Sequence, residues 1–191
     1  MNRRLLAASI GTAVVISVVG GWAISRGDGD PSADDEITYD SQVVEQYPSI
    51  GTNAQVEGEQ LPDVTVVDND GNDVDVRALT GTPLVINYWF STCAPCSAEL
   101  PGFAAVHAEL GDRVRFVGIN PQDSPETNVS FAADRGVHYE LLRDPDGEYA
   151  SAVGVASAPF TVFVDASGTI VRQTGVLEED ELREYASELL G

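Results

Sequence analysis

Apolar runs separated by short polar stretches recur after the first third of the chain and predict alternating strands and helices. The most continuous run, residues 84–90, is nearly all apolar, as in a central strand that is covered on both faces. Strands are also predicted at 61–67, 74–76, 115–120, 139–142, 160–164 and 169–174, and helices at 93–110, 125–135, 149–153 and 178–190. This alternation predicts an α/β fold in which helices cover a central sheet as a three-layer sandwich.

The first two predicted strands frame an acidic turn at residues 68–73. Asp68, Asp70 and Asn72 alternate there as oxygen ligands do in a calcium-binding loop. The twelfth position of such a loop requires a bidentate Glu, whereas Leu79 stands at that position. We therefore interpret the segment as the solvated turn of a β-hairpin.

The start of the chain combines a short basic flank with an uncharged, mostly apolar run at residues 5–24. Twenty helical residues extend about 30 Å, the thickness of the apolar part of a bilayer. The basic flank predicts a single-pass membrane anchor at residues 1–26, with the remainder of the chain outside the cytoplasm. Small residues at Ala23 and Ser25 also fit a cleaved signal peptide, in which case the domain is secreted.

Acidic residues dominate both the next segment and the whole chain. Residues 27–60 hold nine acidic and no basic side chains, and like charges keep such a segment extended. We predict an acidic flexible linker there, which holds one folded domain, residues 61–191, away from the membrane. The net charge of −21, with ten arginines and no lysine, argues against nucleic acid and anionic lipid as partners, because both are negatively charged.

The two cysteines of the chain, Cys93 and Cys96, follow the predicted central strand directly. At positions i and i+3 of a first helical turn, their sulfur atoms share one face and can form a short-range disulfide. The N–H groups and the positive dipole end at a helix start favour a thiolate, so Cys93 is predicted to be the nucleophile. Cys96 lies one turn deeper and is predicted to resolve a mixed disulfide formed by Cys93. Pro95 fits an early helical position, where its missing N–H has no helical partner.

Other interpretations of the cysteine pair stay open on the residues alone. A structural zinc site requires four ligands, and the two histidines, His107 and His138, do not have a ligand spacing. A purely structural disulfide would close a very small loop and restrict the unfolded chain little. Two soft thiolates could instead begin a copper-binding module, or the domain could be an inert interaction module.

Several short motifs of the chain occur together in one known family. Trp89 precedes Cys93-Ala94-Pro95-Cys96, Glu99-Leu100-Pro101 follows in the predicted helix, and Pro159 precedes the strand at 160–164. A leading hairpin and a strand and helix inserted at residues 115–135 complete the pattern. On these points residues 61–191 resemble the membrane-tethered TlpA/ResA-type thiol:disulfide oxidoreductases of the redoxin (AhpC/TSA) superfamily. The resemblance implies a thioredoxin fold with a central mixed sheet, an N-terminal β-hairpin and an inserted strand and helix.

The resemblance also implies how the protein meets its partners. Pro159 would be cis and lie against the disulfide, and Ala158 would offer its backbone N–H and C=O to an extended client segment. The implied client surface consists of Trp89, Thr92, Ala94, Pro95, Ala158 and Pro159. Electrons would pass through the Cys93/Cys96 disulfide without a further cofactor, between protein thiols such as those of apocytochrome c and a membrane thiol carrier. The direction stays open, because relatives act as reductants in cytochrome c maturation or as oxidants in protein folding.

A few positions depart from the family pattern. Thr92 stands where relatives carry an aromatic residue, which implies a smaller apolar rim for clients. Asn87 and Ala94 stand where thioredoxin and some ResA-like members have carboxylates. Glu99 is therefore the nearest acidic candidate for proton transfer to the second cysteine, although we expect a solvated position on the helix face for it. A thiol peroxidase is not favoured, because peroxiredoxins carry Thr three residues ahead of their reactive cysteine, where this chain has Phe90.

Overall fold

The computed structural model of the protein describes residues 52–191, which form one sheet with helices on both faces. The strands are β1 (Thr65–Val67), β2 (Asp73–Asp75), β3 (Leu84–Tyr88), β4 (Arg115–Asn120), β5 (Glu140–Arg143), β6 (Phe160–Val164) and β7 (Ile170–Thr174). The helices are α1 (Ala94–Leu110), α2 (Pro125–Ala133), α3 (Glu148–Ala152) and α4 (Glu179–Glu188), and a 3-10 helix spans Val76–Leu79. Each of these strands and α-helices corresponds to one predicted from the apolar pattern.

The strands follow the order β2-β1-β5-β4-β3-β6-β7 across the sheet. β3 pairs in parallel with β4 on one side and antiparallel with β6 on the other, and β4 pairs in parallel with β5. Helices α1 and α2 supply the crossovers that parallel neighbours require. Antiparallel hairpins, β1–β2 and β6–β7, close the two ends of the sheet. The predicted α/β sandwich is confirmed, with its mixed sheet, leading hairpin and inserted strand and helix (β4 and α2).

The strand β3 shows why the central run of the sequence is apolar without a break. Leu84, Ile86 and Tyr88 belong to the core on one face of the sheet, whereas Val85 and Trp89 belong to the core on the other face. Helices α1, α2 and α4 cover the second face, and α3 with the 3-10 helix covers the first. Packing on both faces holds the end of β3 in place, and this end leads directly to the cysteines.

The acidic turn between β1 and β2 is held by hydrogen bonds within itself. The Oδ1 of Asp68 accepts from the N–H groups of Asp70 and Asn72, each at 2.8 Å, and its Oδ2 accepts from the Asn72 side chain at 2.8 Å. These bonds, led by the one from the Asn72 side chain, hold the pKa of the Asp68 carboxyl below its usual value. The prediction of a hairpin turn is confirmed, since the Asp68 carboxylate accepts hydrogen bonds from the N–H groups of its own turn.

The folded part begins before the predicted domain boundary. Residues 53–60, here called the N-terminal strap, run beside β7. The Gly58 N–H donates to the Ile170 C=O at 2.7 Å, and the Ile170 N–H donates to the Glu59 C=O at 2.8 Å. Val56 is only 4% exposed and joins the core on the first face of the sheet. The end of the segment expected to be flexible linker is therefore part of the domain.

The predicted anchor at residues 1–26 and most of the predicted linker lie outside the described residues. Between residues 52 and 191, no helix is both long enough and apolar enough to cross a bilayer. The N-terminal anchor or signal peptide stays a prediction.

Candidate active site

The two cysteines form a disulfide at the start of α1. Their sulfur atoms are 2.00 Å apart and their Cα atoms 5.3 Å apart. Cys93 is the N-cap residue of the helix, and its Sγ accepts a hydrogen bond from the Cys96 N–H at 3.3 Å. Pro95 lies in the first turn, as its missing N–H allows. The Cys93 sulfur therefore lies at the N–H groups of the helix start, which stabilise a thiolate after reduction.

The two cysteine residues differ in how much of their surface solvent can reach. Cys93 is 6% exposed and Cys96 is 0% exposed. Cys93 is thus more enclosed than the sequence suggested, yet it is the more accessible of the pair. Thr92, Ala94 and Pro95 are exposed beside it. Of the two cysteines, Cys93 is therefore the one that solvent can reach.

A carboxylate from the loop after β4 holds the segment that leads to Cys93. The Oδ2 of Asp123 accepts a hydrogen bond from the Ser91 N–H at 2.7 Å, and its Oδ1 accepts from the Ser91 hydroxyl at 2.6 Å. The Asn120 side chain donates to the same carboxylate at 2.7 Å. Partial burial alone would raise the pKa of Asp123, but the hydrogen bonds from Ser91 and Asn120 hold it below the usual value. The carboxylate is therefore ionised at neutral pH and fixes the active-site loop.

The second wall of the site is the loop ahead of β6. Because Phe160 lies opposite Tyr88 in the antiparallel pair of β6 and β3, the residues before Phe160 lie beside those after Tyr88. The Ala158–Pro159 peptide bond is cis, as the resemblance implied. Ala158 is half-buried and Pro159 is buried. A groove of about 220 Å³ lies between the end of β3, the loop after β4 and the loop that ends at Ala158.

Glu99 occupies the interior side of the disulfide, and the expectation that it is a solvated surface acid is wrong. It is 6% exposed, and it lies three residues after Cys96 on the same face of α1. Its Oε1 accepts a hydrogen bond from the Asn87 side chain at 3.1 Å, and its Oε2 accepts from the Leu177 N–H at 3.2 Å. The acid is buried because β3 and the segment ahead of α4 both cover this part of the helix.

Burial raises the pKa of Glu99 to about 7, although the hydrogen bonds from Leu177 and Asn87 favour the ionised form. At neutral pH the carboxyl is therefore divided between its protonated and ionised forms. Among the described residues, the Oδ1 of Asn87 is a buried atom without a hydrogen-bond partner. After an amide flip, Asn87 could accept a hydrogen bond from the protonated carboxyl. Glu99 and Asn87 form a buried pair that can hold a proton, with Glu99 one helical turn after Cys96.

Trp89 does not contribute to the client surface in the way that the resemblance implied. It is 0% exposed, and its ring stacks on Phe131 of α2 with 5.8 Å between the ring centroids. The Arg135 guanidinium lies 3.4 Å from the centroid of the same Phe131 ring and donates to the Ser97 hydroxyl at 2.9 Å. A Cβ at Gly118 would lie 2.8 Å from the indole nitrogen of Trp89, so glycine is needed there. Trp89 therefore supports the active-site loop from inside the domain.

Sequence reasoning did not find the contacts of Asp123 and Glu99. For Asp123 a usable signal was present, because polar residues that follow β4 lie at the same sheet edge as the end of β3, its parallel neighbour. The burial of Glu99 had no comparable signal, since one of its two hydrogen-bond donors is a backbone N–H at Leu177, 78 residues away.

Comparison with known proteins places the domain in a family. Residues 57–173 match the AhpC/TSA family. The chain belongs to the AhpC/TSA family. The matched range runs from the N-terminal strap to β7 and therefore includes both cysteines and the loop ahead of β6.

This AhpC/TSA member is similar to several thiol-disulfide enzymes. Thiol-disulfide oxidoreductase ResA of Halalkalibacterium halodurans is 28% identical over 131 residues, which are 67% of this chain and 74% of ResA. The thiol:disulfide interchange protein HelX of Rhodobacter capsulatus is 34% identical over 120 residues, 62% of this chain and 65% of HelX. The structure of a secreted Mycobacterium tuberculosis disulfide oxidoreductase, homologous to E. coli DsbE, is 29% identical with a TM-score of 0.58, covering 66% of this chain and 96% of that one. This AhpC/TSA member is a thiol-disulfide oxidoreductase with a thioredoxin fold.

The chemistry available at the site is that of sulfur and protons. The disulfide can accept two electrons from thiols, and the reduced pair can return them to a disulfide. Thiolates, which Cys93 and Cys96 would form on reduction, are the kind of ligand that soft metals prefer. In the part of the chain that the structure describes, no three or more His, Cys, Asp or Glu side chains are grouped as a metal site.

Proposed function

We propose that this oxidoreductase reduces disulfides of protein clients outside the cytoplasm, held at the membrane by its N-terminal segment. The observation that carries the proposal is the position of Cys93, which caps α1 and is the more accessible of the two cysteines. The proposed client is apocytochrome c, and the proposed electron donor is a membrane thiol carrier. Support comes from the thiol-disulfide relatives ResA and HelX and from the secreted Mycobacterium tuberculosis enzyme.

The reaction proceeds in two exchange steps. The Cys93 thiolate attacks one sulfur of the client disulfide, so that a Cys93–client S–S bond forms and the other client sulfur leaves as a thiolate. The Cys96 thiol then loses its proton and attacks Cys93 Sγ, which closes the Cys93–Cys96 disulfide and releases the second client sulfur. The client thiolates take up two protons, the client gains two electrons, and the enzyme loses two.

Glu99 is the proposed acceptor of the proton that Cys96 loses. It follows Cys96 by one helical turn, and its pKa of about 7 allows it to take up or release a proton near neutral pH. A groove of about 410 Å³ between α1 and the segment ahead of α4 reaches Glu99. Water in this groove can carry the proton onward to solvent.

The same groups support the reverse direction, in which a client thiolate attacks Cys93 Sγ and Cys96 leaves with a proton from Glu99. A second client thiolate then attacks the client sulfur of this mixed disulfide, which closes the client disulfide and releases the Cys93 thiolate. In that direction the client is oxidised by two electrons, as in oxidative folding. A thiol peroxidase would use Cys93 against a peroxide, and a copper-binding module would use both thiolates as ligands. These functions differ in what reacts with the cysteines: a client disulfide, a client thiol, a peroxide or a copper ion.

Trapping of the mixed disulfide tests the proposal. In the full chain, Cys96→Ser removes the resolving sulfur, so we expect a mixed disulfide between Cys93 and the client to accumulate. Cys93→Ser is the matched control and should trap nothing, because Cys96 is 0% exposed. Non-reducing gels of the envelope fraction, followed by mass spectrometry, identify the trapped protein.

The identity of the trapped protein decides among the functions. An apocytochrome supports the proposed reductase, whereas a varied set of secreted proteins supports oxidative folding. If neither variant traps a protein although both are folded, disulfide exchange with proteins is contradicted. Peroxide consumption and a copper titration of the reduced chain followed by spectroscopy then test the two remaining functions.

A further inference from the structure

Asn53 of the N-terminal strap holds the loop that leads to Ala158. Its Oδ1 accepts hydrogen bonds from the Ala156 N–H at 2.8 Å and from the Ser157 N–H at 2.9 Å. One acceptor that binds two successive N–H groups fixes the orientation of both peptide planes. The path of the chain into Ala158 therefore depends on a side chain that stands 103 residues before Ala156.

The strap is itself attached to the domain, so Asn53 has a fixed support. Gln173 of β7 donates from its Nε2 to the Ala54 C=O at 2.8 Å and accepts from the Val56 N–H at 2.6 Å through its Oε1. The backbone N–H of Gln173 donates to the Glu57 side chain at 3.1 Å. Val56 adds a buried apolar anchor. A strap held at several points can transmit its own position to the loop.

The strap also packs closely against the start of the same loop. The Ala54 N–H donates to the Gly154 C=O at 2.9 Å. A Cβ at Gly154, whose φ is +64°, would clash with the Ala54 Cβ, so this contact requires glycine. The next residue, Val155, donates its N–H to the Ala150 C=O of α3 at 2.8 Å. The beginning of the loop is thus fixed by α3 and the strap, and its end is fixed by Asn53.

The contacts of Asn53 lie on the loop side of the site and involve neither cysteine. The loop from Val155 to Ala158 lines the groove of about 220 Å³ that continues to Tyr88 and Phe90, just ahead of the disulfide. A small thiol needs only the sulfur atoms, whereas a protein client also needs the backbone of Ala158 for extended pairing. A change at Asn53 should therefore affect proteins and small thiols differently.

We propose that Asn53 is a positioning residue for client binding, which presets the Ala156–Ala158 backbone for an extended client segment. This inference rests on the proposed function, because the loop matters only if protein clients bind beside it. Because the loop is already ordered before the client binds, binding does not include the entropic cost of ordering the loop. Asn53 thereby shapes the client-recognition surface, although it does not touch the reacting sulfur atoms.

Three variants of the full chain in detergent micelles test the inference. Asn53→Ala removes the acceptor, and we expect the KM for a ten-residue peptide with an internal disulfide to rise about tenfold, as loss of one to two hydrogen bonds predicts. The kcat for this peptide and the rate of reduction of the enzyme by dithiothreitol should stay within about twofold of the wild type. Asn53→Asp retains acceptor oxygens and should restore the low KM.

Gln55→Ala is the matched control, since Gln55 is an exposed strap residue that makes no hydrogen bond with the other described residues. Its KM should equal that of the wild type. Hydrogen exchange, followed by mass spectrometry, should show faster exchange of the peptide containing Ala156 and Ser157 in Asn53→Ala and not in Gln55→Ala. This second measurement reports on the loop without depending on turnover.

The outcomes separate the inference from the proposed function. If Asn53→Ala keeps the wild-type KM, or if it slows the peptide and dithiothreitol reactions equally, the positioning role is overturned while client exchange stands. If the wild type reacts with dithiothreitol but does not react with the peptide at any concentration, both the proposed function and the inference are overturned. A raised KM that Asn53→Asp does not restore also overturns the inference, because the acceptor oxygen is then not the cause.

Discussion

The interior side and the rim of the disulfide are stabilised by different kinds of interaction. On the interior side, a titratable carboxyl, Glu99, is buried beside Cys96 and shares a hydrogen bond with Asn87. On the rim, Asn53 and Asp123 accept hydrogen bonds from the backbone of two loops. The interior side is therefore sensitive to pH near neutrality, whereas the rim owes its shape to hydrogen-bond acceptors that keep one protonation state there.

This difference suggests that the interior side handles proton transfer and that the rim sets the shape of the client surface. A buried carboxyl with a raised pKa destabilises the folded chain when it ionises, and such a group is kept where proton transfer requires it. The hydrogen-bond acceptors of the rim hold loops at the surface, and replacing one of them leaves the buried carboxyl unchanged. Proton transfer and client shape can thus be altered separately, and the following predictions test that separation, beginning with the largest effect.

The pKa of Glu99 rises from 4.5 in the unfolded chain to about 7 in the folded chain, and each pKa unit corresponds to about 1.36 kcal/mol. Replacement of Glu99 by Gln should therefore remove a pH dependence of roughly 3 kcal/mol from the free energy of unfolding. The folded state binds the proton more tightly than the unfolded state does. The stabilisation is therefore fully present below pH 4.5 and is lost as pH rises through about 7. Glu99→Gln should be more stable than the wild type at pH 8 and similar to it at pH 4.5.

Urea unfolding of the oxidised chain between pH 4 and pH 8 measures this difference. Glu184→Gln, on the exposed surface of α4, is the matched control and should follow the wild type at every pH. A stability difference between Glu99→Gln and the wild type that does not change with pH would contradict the buried, titrating carboxyl. The pH–rate profile of thiol exchange should also lose its inflection near pH 7 in Glu99→Gln and keep it in Asn53→Ala.

Replacement of Asp123 by Asn should destabilise the domain by about 2 kcal/mol, the range for hydrogen bonds to a charged group. The amide keeps the shape of the side chain but cannot accept from both donors of Ser91. Because Ser91 belongs to the segment that leads to Cys93, exchange with dithiothreitol and with the peptide should slow together. That result contrasts with Asn53→Ala, which is expected to affect the peptide alone.

The sign of the pH effect at Asp123 is opposite to that at Glu99. Its pKa is lowered in the folded chain, so its stabilisation is present above pH 3.8 and is lost as pH falls through the lowered value. Asp146→Asn, at an exposed position, is the control for loss of one negative charge. Selective loss of the peptide reaction in Asp123→Asn would show that the two rim loops cannot be distinguished in this way.

The smallest effect concerns the two thiols of the reduced chain. Cys93 should be alkylated on the order of tenfold faster than Cys96 by limiting iodoacetamide at mildly acidic pH, because it caps α1 and is the more exposed of the pair. Peptide mapping by mass spectrometry gives the ratio. Faster labelling of Cys96 would reverse the assignment of nucleophile and resolving cysteine.

The parts of the fold that depend on local pattern could be read from the sequence. The unbroken apolar run that became β3 and the position of Cys93 at the start of α1 follow from residue periodicity and from the N–H groups of a helix start. The boundary of the domain did not follow, because the acidic composition of residues 53–60 hides one buried anchor, Val56. Burial of Trp89 was missed for a similar reason, since its cover is supplied by Phe131 of the inserted helix.

By itself, the sequence determined the alternation of strands and helices and the redox pair that follows the central strand, because these depend on residues close together in the chain. Only the tertiary structure decided that Glu99 is a buried acid and that Asn53 holds the loop ahead of Ala158. Each depends on a partner brought close by the sheet, with Leu177 78 residues from Glu99 and Ala156 103 residues from Asn53. Local periodicity carries no record of such distant contacts, since a polar residue on a helix face or in an acidic segment has the same pattern whether water or the protein covers it.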